Sequence, residues 1–201
     1  MSSLKPEAVL RYAIILMLVV AAAFGVFALG TAAGGKPTDH DLEKFQRGEL
    51  SSLDFATAGD AAGETPFVGP DGEAISVSGF AGQPTLVNYW ATWCGPCERE
   101  LPSLGVLQTA RAAQGLQVIA ISVDGEEDGP YARQRLGELT GGVLDFYHAA
   151  DYGPVYEAGV RGFPTTILYD ASGTEVFRLA GEADWASYEA LALIDAALAK
   201  R

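Results

Sequence analysis

The stretch TLVNYWATWCGPCERELPSLGVLQTARAAQG, residues 85–115, decides how this chain is read. Its first six residues are apolar, aromatic or β-branched around a single asparagine, the composition of a central strand buried on both faces. From 94 onward, Leu101, Leu104, Leu107 and Ala110 recur at helical spacing and Gly115 supplies a stop. A strand that hands over to a helix opens a β-α-β unit, and the two cysteines of the chain, Cys94 and Cys97, stand at the handover. At a helix start, unsatisfied N–H groups and the positive end of the dipole stabilise a thiolate. The spacing therefore predicts Cys94 as an exposed nucleophile. Cys97, about one turn later, is the buried thiol that closes on it and resolves a mixed disulfide. Gly95 and Pro96 keep the ring between the two small without crowding. Half a zinc site is the competing reading; zinc wants four ligands, and the histidines are only His40 and His148.

Working outward, residues 67–77 carry Gly-Pro-Asp-Gly at 69–72 between two short extended runs, which predicts a hairpin. Residues 116–123 read as a strand, 131–139 as a helix, 143–147 as a short strand, and 154–158 as a helix closed by Gly159. Residues 165–169 and 174–179 flank Asp170-Ala171-Ser172-Gly173 as an antiparallel hairpin. Residues 185–199 close the chain as an amphipathic helix with Asp184 as its cap. Helices between strands, with a hairpin at the end, predict an α/β domain: a mixed sheet covered on both faces, hence a three-layer sandwich.

The chain holds 13 lysines and arginines against 26 aspartates and glutamates, a formal charge of −13. An electrostatic grip on nucleic acid is excluded as a function class. Residues 12–33 contain neither a charge nor a proline, and a helix of that length crosses a hydrocarbon core of ~30 Å. The run is longer than the ~7 to 15 residues of a signal h-region, which favours a retained transmembrane signal-anchor. A cleavable signal peptide competes, since small residues lie near its end; either way the rest is exported. Lys5 and Arg11 make residues 1–11 a short cytoplasmic tip. Residues 34–65, with Gly34, Gly35 and Pro37 and a small, polar, Gly-rich 57–65, read as a linker. The folded domain is expected at 66–201.

WATWCGPCERELP (90–102) followed by GFPTTILYD (162–170) resembles the thioredoxin superfamily, specifically the membrane-tethered, periplasmic TlpA/ResA-like thiol-disulfide oxidoreductases. The likeness runs over roughly residues 50–200 and takes in the hairpin, Phe80-Ala81-Gly82, an inserted strand and helix around 140–160, and Gly181-Glu182-Ala183-Asp184-Trp185. It implies a thioredoxin-like sandwich with an N-terminal hairpin and an inserted β/α element, preceded by one transmembrane helix. Phe163-Pro164 matches the family's cis-proline loop. With no N–H at Pro164, the Phe163 backbone would pair with an extended substrate, and the ring would keep metal from the thiols; an ordinary trans turn is the alternative. Trp93 and Trp90 would shape the surface around Cys94, and Gly95 and Pro96 would also meet substrate. Pro102 matches a helix-kinking proline.

Glu100 follows Cys97 by three positions, on the same helix face, and the TlpA/ResA-like proteins carry an acid there. Its implied role is to take the Cys97 proton as that thiol attacks; the alternative is an acid favoured by the helix dipole. Asn88 stands where thioredoxin has a buried aspartate for this task, and Asn cannot exchange a proton. The resemblance implies a single-pass protein of a bacterial inner membrane with its domain in the periplasm. It would reduce oxidised or apo forms of exported proteins, in cytochrome c maturation or in copper-site and cytochrome oxidase assembly. A membrane thiol reductant would supply its electrons. Apart from the Cys94–Cys97 pair, no cofactor and no metal is expected. Glu98, Glu100 and the net charge disfavour the thiolate, with Arg99 a partial offset, so a potential nearer ~−270 mV than ~−180 mV is expected. The alternatives are a copper-carrying assembly module, though Met1 and Met17 lie outside the domain, and a thiol peroxidase of related fold. The peroxidase needs a threonine three residues before its single peroxidatic cysteine.

Overall fold

The structure, a computed structural model, describes residues 40–199. The expected tip at 1–11 and the apolar run at 12–33 lie outside them, and among the described residues no helix is long and apolar enough to cross a membrane. In chain order the elements are α1 (His40–Glu43), β1 (Leu53–Asp54), β2 (Phe67–Val68), β3 (Ala74–Ile75), β4 (Thr85–Trp90), α2 (Gly95–Arg111), β5 (Gln117–Ser122), α3 (Gly129–Thr140), β6 (Phe146–His148), α4 (Gly153–Glu157), β7 (Thr165–Tyr169), β8 (Glu175–Ala180) and α5 (Tyr188–Leu198), with short 3-10 turns between some of them.

Every residue of β4 is buried, as its unbroken apolar pattern requires of a strand covered on both faces. It pairs parallel with β5, from Thr85↔Gln117 to Trp90↔Ser122, and antiparallel with β7, from Thr85↔Tyr169 to Tyr89↔Thr165. The whole order is β1-β8-β7-β4-β5-β6-β2-β3, a mixed sheet. Side chains opposite one another in register share a face. Asn88, Thr166 and Leu179 form one such row, and it looks toward α2 and the segment leading into α5, because Asn88 and Thr166 reach Glu100 and Glu100 meets Trp185. α3 packs on α2. Gly105 allows that approach, since a Cβ there would come within 3.2 Å of the Thr140 carbonyl oxygen. The next row, Val87, Ile167 and Arg178, looks the other way, where Arg178 reaches the Ala158 carbonyl at the end of α4. The large helices thus lie on one face, and the short α4 covers the other.

Four expectations are corrected. Residues 40–65 fold with the domain instead of tethering it: Leu42, Phe45, Leu50 and Leu53 are buried in the common core, β1 pairs with β8, and α1 packs on α5. These apolar residues are scattered among polar ones, so no window of the segment shows a period. The strand expected at 143–147 is Phe146–His148, because Gly141 and Gly142 both take positive φ and carry the chain past an exposed Val143. The last helix starts at Tyr188, not at 185. Ser187 caps it by accepting the Ala190 N–H at 3.2 Å, while Asp184 accepts that of Ala186 in the turn before. Trp90 is wholly buried and does not shape the surface around Cys94.

Candidate active site

α2 begins where the β4 chain has turned through residues 91–94. Cys94 is its N-cap, with extended backbone, and its sulfur accepts the N–H of Cys97 at 3.2 Å. Pro96 lies in the first turn, where a missing N–H breaks no helical bond. Cys94 and Cys97 are joined in a disulfide, with Cα atoms 5.3 Å apart. Cys94 is 6% exposed and Cys97 1%, so their order of access is the expected one, but Cys94 is not an open nucleophile in the oxidised state. Gly95 and Pro96 are exposed.

The turn is pinned from β5. The buried Asp124 carboxylate accepts the Thr92 N–H at 3.1 Å, the Thr92 hydroxyl at 2.6 Å and the Ser122 hydroxyl at 2.8 Å. The Phe163–Pro164 bond is cis. Pro164 is buried, and the Phe163 ring meets the Trp93 ring edge-on, centroids 5.7 Å apart. That contact sets the loop bearing Pro164 beside the turn bearing Cys94.

Glu100 is 2% exposed. Its Oε1 accepts the Trp185 indole N–H, the Thr166 hydroxyl at 3.2 Å and the Asn88 amide at 3.5 Å, and Asn88 also donates to Thr166 at 2.9 Å. Its Oε2 has no hydrogen-bond partner among the described residues. Burial pushes the carboxyl up to about 8; the bonds from Trp185 and Thr166 act against that, and the charge of Glu182 adds to it. At neutral pH and below, the oxidised protein therefore holds Glu100 mainly protonated.

The charges counted along the sequence are differently arranged in space. Glu98 pairs with Arg135 at 2.7 and 3.2 Å, and Arg99 pairs with Glu182 at 3.0 and 2.6 Å. Glu98 and Arg99 are thus each neutralised by a partner, so neither acts on the Cys94 thiolate as the bare charge counted along the sequence, which corrects that part of the expectation. Sequence reading missed Thr166, Asp124 and the role of Trp185. Thr166 was signalled in principle, since a strand pairing that opposes Asn88 to Thr166 faces both toward α2. Asp124 carried no local signal.

Among the described residues no group of three or more His, Cys, Asp or Glu could hold a metal ion. His148 Nε2 lies 2.8 Å from the Asp124 carbonyl oxygen. Ala91 stands three residues before Cys94, where the peroxidase reading calls for threonine.

A family profile described as AhpC/TSA matches residues 58–195. A thiol-disulfide oxidoreductase ResA of Halalkalibacterium halodurans is 34% identical over 121 residues, 59% of this chain and 66% of that protein. The match thus spans just under two thirds of that curated relative's length. A Chlorobium tepidum crystal structure provisionally described as a thiol:disulfide interchange protein DsbE superposes with a TM-score of 0.61 at 25% identity, covering 70% of this chain and 97% of that one. The thioredoxin domain of a thiol-disulfide oxidoreductase from Bacteroides vulgatus superposes at 0.58 with 22% identity, over 70% of this chain and 97% of that one, and bears on the fold alone. The fold is thioredoxin-like, with the mixed sheet expected.

Proposed function

This chain belongs to the AhpC/TSA family, and on that premise we propose that it is a thiol-disulfide oxidoreductase that reduces disulfides of other proteins through Cys94 and Cys97. The observation that carries this reading is the closed Cys94–Cys97 pair at the start of α2, with a buried carboxyl one turn further on. In the reduced protein the Cys94 thiolate attacks a substrate disulfide, giving a mixed disulfide and releasing one substrate thiolate. Cys97 then attacks the Cys94 sulfur. The second substrate thiolate leaves, the protein pair is oxidised, and the substrate has gained two electrons. Cys97 must lose its proton to attack, and a buried thiol does so reluctantly. Glu100 is the group to receive it, and the closed disulfide with a protonated Glu100 is the state that follows this transfer.

The pair is then opened again by a thiol reductant. The uncharged run at 12–33 supports anchoring in a bacterial inner membrane with the domain in the periplasm, and a membrane-embedded donor as the source of electrons. The names of the relatives, thiol-disulfide oxidoreductase and thiol:disulfide interchange protein, support thiol-disulfide exchange. Exported substrates, with cytochrome c maturation or assembly of copper sites and cytochrome oxidase as their setting, rest on the likeness of residues 90–102 and 162–170 to the TlpA/ResA-like proteins. The peroxidase reading lacks its threonine at Ala91, and the copper-carrying reading lacks a ligand set beyond the two cysteines among the described residues.

Reduction of insulin disulfides by the reduced protein tests the proposal. Turnover is expected, with Cys94→Ser inactive. Turnover by Cys94→Ser equal to that of the unaltered protein would overturn it.

A further inference from the structure

Four aromatic rings run outward from the disulfide. Trp93, next to Cys94, is 62% exposed. Its ring meets Phe163 at 5.7 Å, Phe163 meets Tyr152 at 6.3 Å, and Tyr152 meets Tyr156 at 6.2 Å, where Tyr156 on α4 is 75% exposed. Other exposed tyrosines, Tyr131 and Tyr188, stand alone; among the described residues they make no ring contact. Trp93 and Tyr156 are exposed and the rings between them, Phe163 and Tyr152, are half-buried against the core. A continuous aromatic path exposed at both ends calls for an occupant in a way that scattered rings do not.

The backbone at the centre of the run is unusual. Tyr152 has φ +60°, the one described non-glycine residue at positive φ, an outlier for a bulky side chain. It is held there by its own N–H, which donates to the Ala149 carbonyl at 3.1 Å, and by its carbonyl, which accepts the Tyr156 N–H at 3.0 Å. Conformations of this kind persist where the surroundings over-determine them, and they concentrate at ligand clamps. Here the result is a tyrosine ring bridging Phe163 of the cis-proline loop to Tyr156 of α4.

We propose that this run is a docking surface for an extended, neutral-to-basic polypeptide segment. The segment carries an aromatic or large apolar side chain about five residues from the cysteine it offers to Cys94, the number that an extended strand at ~3.3 Å per residue needs to cover the run. That the segment belongs to a disulfide substrate rests on the thiol-exchange reading; that the surface binds such a segment does not. Three observations fix the occupant. The run starts at Cys94, which the substrate must touch. Its rings offer stacking faces in sequence, suited to an aromatic partner. The chain carries a charge of −13, which favours approach of basic segments over acidic ones.

The test is fluorescence anisotropy with the full-length oxidised protein in detergent and labelled, lysine-containing extended peptides. Each peptide has serine in place of cysteine, with either tryptophan or alanine placed about five residues to one side or the other. The tryptophan peptide is expected to bind about tenfold more tightly in one of the two placements. That advantage should vanish in Tyr156→Ala and in Tyr152→Gly, glycine being at ease at positive φ, and persist in Tyr188→Ala. Equal binding of the tryptophan and alanine peptides, or an advantage untouched by both tyrosine variants, would overturn the inference. Reduction of glutathione disulfide by the protein after its Cys94–Cys97 pair has been reduced with dithiothreitol and the reductant removed is measured alongside. Its absence would count against the thiol-exchange reading, while anisotropy would still decide the docking surface.

Discussion

Replacing Glu100 with glutamine should change how stability depends on pH, with a sign and size that follow from burial. The carboxyl sits at about 8 in the folded protein against an ordinary value of 4.5. Between these values the unfolded chain has lost the proton and the folded chain keeps it. Folding is then linked to proton uptake, and stability falls as pH rises across the window. At ~1.36 kcal/mol per pH unit the loss amounts to about 5 kcal/mol between pH 4.5 and 8, and stops changing above that. Such a loss is a large part of the ~5 to 15 kcal/mol that holds a domain together. Other carboxyls with clear shifts, Glu138 and Glu157, are lowered by their hydrogen bonds and titrate below this window. The glutamine oxygen in Glu100→Gln can still accept from Trp185 and Thr166, but its amide places donors where Oε2 has no partner, at a cost of ~1 to 3 kcal/mol. The variant is therefore expected to be slightly less stable than the unaltered protein near pH 5 and more stable near pH 8. Urea unfolding of the oxidised protein at both pH values reads this directly, since the disulfide removes both cysteines from the titration. Stability differences of the same sign and size at pH 5 and pH 8 would refute the argument.

Cys97→Ser should accumulate mixed disulfides through Cys94, seen on non-reducing gels and located by mass spectrometry; alkylation of Cys97 in preference to Cys94 in the reduced unaltered protein would reverse the roles. Trp185→Phe removes the indole donor that stabilises the Glu100 carboxylate, so the pH dependence of resolution should move upward in stopped-flow traces, and an unmoved profile would sink that assignment. Leu50→Ala should destabilise the domain by ~2 to 5 kcal/mol in urea titrations, because Leu50 is buried in the common core; a loss below ~0.5 kcal/mol, the range of surface changes, would return the segment to linker status. Carbonate washing should leave the full chain in the membrane fraction, and recovery of a soluble form starting near residue 34 would show a cleaved signal instead.

The sequence carried the centre of the fold well and its margins poorly, for physical reasons. The strand at 85–90 and the helix after it are written in an apolar run, a helical period and a glycine stop, all local. The cis form of Phe163–Pro164 came from the family resemblance, since nothing in the dipeptide distinguishes cis from trans. For Glu100 the position relative to Cys97 was legible, but its depth was not. That depth depends on Trp185, 85 positions away, whose indole covers it. The ion pairs were equally out of reach: Glu98 finds Arg135, 37 positions on, only because α3 packs on α2. Leu42, Phe45, Leu50 and Leu53 escaped notice because a chain lying along a surface buries single residues wherever it crosses the core.

The pairing of β1 with β8 bears on how the domain should be handled. Both outermost strands of the sheet, β1 and β3, are two residues long. Short margins offer a neighbouring chain little backbone to pair with, and this is one way sheet proteins avoid sticking to one another. A fragment beginning at residue 66, the boundary that composition suggests, would lose β1 and leave the six residues of β8 open along one side, where Glu175, Phe177 and Leu179 are buried in the intact protein. Such a fragment is a candidate for strand-to-strand aggregation, whereas one beginning at residue 40 retains its cover.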